Sequence, residues 1–140
     1  MEMGKQVQHD LEKKKEILER LAQNTKLQSH FIQGRKMKGL ERLLTERDVL
    51  LSELETVNER LLTDTSWKQQ KSLGLLLEEI TKKQQEVVRR SQQALEQAIA
   101  ERSEIAYELH QSRVGRQLKQ QYTNPWAQVI ARGYRINEKR

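Results

Sequence analysis

The sequence predicts an all-α protein: an antiparallel three-helix bundle with an elongated third helix and a basic carboxyl-terminal tail. Three observations carry that expectation. Apolar residues recur at helical steps over most of the first 110 positions. The single proline, Pro125, lies in the tail, so none interrupts the periodic pattern before it. Aromatic residues are few (Trp 2, Tyr 3, Phe 1) in a chain of 140, whereas strand-rich folds draw heavily on aromatic and β-branched side chains.

The first helix is expected over about 4–32, where Val7, Leu11, Ile17, Leu18, Leu21, Leu27, Phe31 and Ile32 follow steps of three, four and seven. Lys14, Thr25 and Gln28 fall on or near this stripe, so the face is thin and needs a partner helix. Gly34 and Gly39 in QGRKMKG suggest a stop and short hinge. A second helix, about 36–62, carries the broadest stripe: Leu40, Leu43, Leu44, Leu50, Leu51, Leu54, Val57, Leu61 and Leu62.

Polar residues 63–66 break the pattern, and Ser66 with Gln69 fits a capping box opening a third helix over about 67–113. Its stripe runs through Leu73, Leu76, Leu77, Ile80, Val87, Ala94, Leu95, Ala98, Ile99, Ile105 and Leu109. At 1.5 Å per residue such a helix spans roughly 65–70 Å against roughly 40 Å for the others. One end should overhang and expose apolar surface unless a second copy, another chain or the tail covers it. Gln84, Ser91, Ala94 and Ala98 are small or polar, so packing should be weakest there.

Residues 1–112 therefore form the helical body, and 113–140 the tail. The formal charge of +6 resides in the tail: residues 111–140 hold seven basic side chains against one acid, leaving the body neutral. Asn124-Pro125 should end any preceding helix, and a short turn can begin at Pro125. Trp126, Val129 and Ile130 would give residues 125–132 an apolar face for docking. With Tyr122 and Tyr134 the tail could stack on nucleic-acid bases, but its charges are interleaved with apolar residues and no nucleic-acid-binding signature accompanies them. Folding back onto the bundle through Trp126, or docking on a protein partner, suits the pattern better.

Catalytic chemistry finds no support. His9, His30 and His110 are not at metal-ligand spacing, no phosphate-binding glycine loop or nucleophile elbow occurs, and acid pairs such as Glu78-Glu79 sit on wet faces. A non-enzyme without cofactor, metal or small-molecule substrate is expected. The absence of cysteine excludes disulfides. No apolar run approaches the roughly 20 residues of a membrane span, and MEMGKQVQHD lacks a secretory apolar core, so the cytoplasm is the expected location.

The stretch GRKMKGLERLLTERDVLLSELETVNERLL, residues 34–62, resembles the middle helix of the FlgN family of flagellar export chaperones. The three-helix layout, the break before the third helix and the tyrosine-bearing tail ending near Gly133-Tyr134-Arg135-Ile136-Asn137 resemble that family too. Where such proteins often carry an asparagine-rich segment, this chain has Ser91-Gln92-Gln93 and Gln97. The resemblance implies a cytoplasmic chaperone that masks the carboxyl-terminal segments of hook-associated proteins and delivers them to the flagellar export apparatus.

An amphipathic client needs a complementary apolar stripe. The candidates are Leu73, Leu76, Leu77 and Ile80 at one end of helix three, or Ile105, Leu109, Val114 and Leu118 at the other. Tyr122, Trp126, Ile130 and Tyr134 are candidates for a displaceable cover, a client clamp or an export-apparatus contact. Core packing is the competing role for each helix-three position. The rival functions are a coiled-coil scaffold self-associating through helix three and a nucleic-acid binder using the tail.

Overall fold

The computed structural model describes residues 2–63, 65–111 and 123–133. Among these there are four α-helices and no strand: α1 Glu2–Gln33, α2 Met37–Thr63, α3 Gly74–His110 and α4 over 123–133. Two short 3-10 turns, Ser66–Gln69 and Lys71–Leu73, lead into α3. No helix among the described residues is long and apolar enough to cross a membrane. Residues 112–122 and 134–140, which hold the candidates Val114, Leu118, Tyr122 and Tyr134, lie outside the described residues.

Helix α1 packs against both α2 and α3, whose own backbones approach each other less closely. Its cross-helix contacts set the register. Asp10 meets Arg60 at 3.1 Å, and Asn24 donates to the Leu43 carbonyl at 2.9 Å, as an antiparallel α1–α2 pair requires. Lys15 meets Glu79 at 2.7 Å, Lys83 meets Glu19 at 3.1 Å, and Gln97 donates to the Ser29 carbonyl. These pairs advance together, so α1 and α3 run parallel.

The turn between α1 and α2 differs from the expected glycine hinge. The Lys36 amide donates to Phe31 O and the Arg35 amide to Ile32 O, the two bonds of a Schellman cap. Arg35 takes the left-handed position, with φ of 52°. It is fastened by Glu101 and Glu108, whose hydrogen bonds hold its guanidinium more firmly charged than usual, with Glu104 at 3.7 Å. Gly39 serves packing instead: a Cβ there would meet the Phe31 ring at 2.9 Å.

The start of helix three also departs from expectation. Ser66–Gln69 forms a 3-10 turn; the residue preceding it, Thr65, makes no side-chain capping bond, and neither does Leu73 before α3. The cause is Trp67, whose ring is buried and whose Nε1 donates to the Leu61 carbonyl at 3.0 Å. Seating Trp67 and then Leu73 in the core takes the chain off a straight helical path. Helix α3 consequently spans roughly 55 Å, close to the roughly 48 Å of α1, and most of the expected overhang disappears.

The core has two parts. One joins Leu11, Leu18 and Leu21 of α1 to Leu50, Leu54, Val57 and Leu61 of α2, with Trp67, Leu73, Ile80 and Val87 completing it. The other joins Ile32, Leu40, Leu44, Ala94 and Ala98 to Trp126 and Val129 of α4. Between them lies a polar belt of Asn24, Thr25, Gln28, Arg47 and Ser91, all buried.

A candidate helix-binding groove closed by α4

With the α2 and α3 backbones set apart, the space between them is a groove in which α4 lies, clustered with Leu40 and Leu44 of α2, Ala94 and Ala98 of α3 and Ile32 of α1. Pro125 falls in the first turn of α4, where its missing amide hydrogen leaves no helical bond unmade. Trp126 is 2% exposed and Val129 5%, both against α2 and α3, with Ile130 packed at the edge. The small side chains expected to mark the weakest packing are what admit this helix: Ala98 is 0% exposed and Ala94 4%. Small residues let a bulky indole approach the α3 backbone closely. Described residues of the tail thus pack over part of the apolar face of α3.

The carboxyl end of α4 reaches the polar belt. A cavity there is lined by Val129, Arg132 and Gly133 of α4 together with Gln28, Arg47, Ser91 and Leu95. Arg47 donates through Nη1 to Thr25 Oγ1 at 2.6 Å and to Asn24 Oδ1 at 3.4 Å, and through Nη2 to Ser91 Oγ at 2.5 Å. Gln28 donates in turn to Asn24 at 2.8 Å. Burial pushes the Arg47 guanidinium down to about 10, against the opposing charge of Asp48. It therefore remains a cation at neutral pH inside the protein.

A separate shallow depression on α3 is lined by Thr81, Gln84, Gln85, Val88 and Arg89. It faces solvent.

The expected site residues divide three ways. Leu73 and Ile80 are core, and Leu76 and Leu77 pack against the same cluster, so the amino end of α3 offers no free stripe. Ile105 packs against the second cluster, Leu109 is half-buried nearby in sequence, and Trp126 and Ile130 are brought to that cluster by α4. The others lie outside the described residues. Exposed apolar side chains are scattered singly, among them Leu75, Tyr107, Leu62 and Val49. Ile99 and Leu27, expected on the buried stripes, are about two-fifths exposed.

Sequence reasoning passed over Arg47. A signal was present, because Leu40, Arg47, Leu54 and Leu61 are spaced by seven and lie on one seam. With Trp126 buried, its ring presents no face to a nucleobase in this arrangement. No group of three or more His, Cys, Asp or Glu suited to a metal occurs among the described residues.

No protein-family model matches the chain, and no curated protein or solved structure matches it.

Proposed function

We propose that the protein is a cytoplasmic, non-enzymatic export chaperone of the flagellar kind, which masks the carboxyl-terminal amphipathic segments of hook-associated proteins before secretion. Its body is the bundle of α1, α2 and α3, and the basic tail supplies both the groove's cover and a contact for the export apparatus. The observation that carries this reading is the occupant of the groove: the helix described over 123–133 seats Trp126 and Val129 against Leu40 and Leu44 of α2 and Ala94 and Ala98 of α3.

A helix of that length is marginal alone and persists only through the side chains it docks. A client helix presenting a similar apolar face competes for the same surface, and chaperoning is then exchange of one helix for another, with no reaction. The client's apolar stripe, which would otherwise aggregate, is held against Leu40, Leu44, Ala94 and Ala98.

Self-association through α3 is the second reading. Light scattering with added peptide separates the two. The chaperone reading expects a 16.6 kDa monomer that forms a one-to-one complex with the carboxyl-terminal segment of a hook-associated protein. A tight dimer indifferent to such segments would establish the scaffold instead.

A further inference from the structure

The cavity at the end of α4 carries an unusual charge pattern. Its wall includes two guanidinium side chains, Arg47 and Arg132, and no carboxylate among the described residues. Among the described residues, the hydrogen-bond partners of Arg47 are Asn24, Thr25 and Ser91, all neutral. Asp48, next along α2, bears on Arg47 through its charge but is not part of the cavity wall. The chain's own occupant brings a like charge at 132 and no side chain at Gly133, so α4 itself adds no counter-charge to Arg47.

Resting on the helix-exchange reading, we infer that this end of the groove is a carboxylate-recognition site: the helix that replaces α4 carries an aspartate or glutamate where α4 has Arg132, and that carboxylate pairs with Arg47. A carboxylate accepts charge-assisted hydrogen bonds from a guanidinium, roughly twice as strong as neutral ones and geometrically selective. Pairing would add what the neutral partners lack, a counter-charge in a site shielded from water. The partner is therefore an amphipathic helix with a carboxylate at that end of its apolar face, and the apolar face supplies adhesion while the acid selects the client.

Two measurements on the full chain test this. In the first, the cavity is offered a carboxylate in place: Arg132→Glu is expected to melt about 3 °C or more above Arg132→Gln, and the advantage is expected to vanish when Arg47→Met is added. Equal melting of the two, or an advantage that survives Arg47→Met, would overturn the inference. In the second, the full-length Trp126→Ala chain is titrated with two synthetic peptides of residues 123–133, one with Arg132→Glu and one with Arg132→Gln. The Glu peptide is expected to bind at least tenfold more tightly. Equal binding of both would refute carboxylate recognition while sparing the groove; binding of neither would remove the groove reading, and the inference with it.

Discussion

Replacing Trp126 by alanine is expected to release α4 from the bundle and to raise the affinity for an amphipathic client helix by about tenfold to a hundredfold. Truncation of a buried indole costs about 3–5 kcal/mol. That exceeds what α4, with two buried apolar side chains among its described residues, Trp126 and Val129, can recover from other contacts. A groove filled about 99% of the time by its own helix binds a competitor about a hundredfold more weakly than an empty one. Hydrogen exchange reads the release: protection over 123–133 should fall while α1 to α3 stay protected. If Trp126→Ala instead lowers client affinity, or unfolds the whole chain in one step, α4 is an integral part of the core or of the client site and not a cover.

The second large effect is an asymmetry within the polar belt. Thr25→Val with Ser91→Ala is expected to destabilise the protein by about 3–5 kcal/mol, because among the described residues it leaves the buried guanidinium one hydrogen bond, the 3.4 Å contact to Asn24. Arg47→Met should fall within about 1 kcal/mol of the parent or exceed it. Once the cation is gone, Thr25 Oγ1 still donates to Leu21 O, Ser91 Oγ to Val87 O and Asn24 Nδ2 to Leu43 O. The sign of the protonation linkage agrees. A basic group whose folded value lies below its unfolded one opposes folding while it is charged in both states, and that penalty fades only as pH rises past about 10. Urea denaturation at neutral pH decides the matter; a greater loss from Arg47→Met than from the double substitution would show that the cation itself stabilises the fold.

What could be read from the sequence was governed by periodicity. The all-helical class, the break near residue 64 and the apolar faces of α1 and α2 follow from leucine spacing, which depends on local geometry alone. Features that depend on a distant partner were less legible. Ser66 with Gln69 has the form of a capping box, yet burial of Trp67 against Leu61 decides the local backbone. Ala94 and Ala98 look like weak packing until an indole from thirty residues away is placed over them. Arg35 occupies a left-handed position next to a glycine because three glutamates on α3 reach it, which no local pattern foretells.

The candidate site was legible in the same uneven way. The apolar face of Trp126, Val129 and Ile130 could be read from its spacing, as could the need for something to cover α3. The stripe proposed at Leu73, Leu76, Leu77 and Ile80 was drawn inward by the 3-10 turns, which place Leu73 in the core with Ile80. Arg47 was hidden because arginine on a charged helix reads as a solvated residue, and only the seven-residue seam gives it away.

The most direct test of a replaceable helix is to make it irreplaceable. The chain has no cysteine, and a Cβ built at Gly133 lies 3.5 Å from the Leu95 Cβ, within the range a disulfide spans. Leu95→Cys with Gly133→Cys therefore ties α4 to α3 by one reversible bond. Titrated with the carboxyl-terminal segment of a hook-associated protein, the reduced form should bind and the oxidised form should bind at least tenfold more weakly. Equal binding in the two forms would mean that α4 never leaves the groove when a client is held.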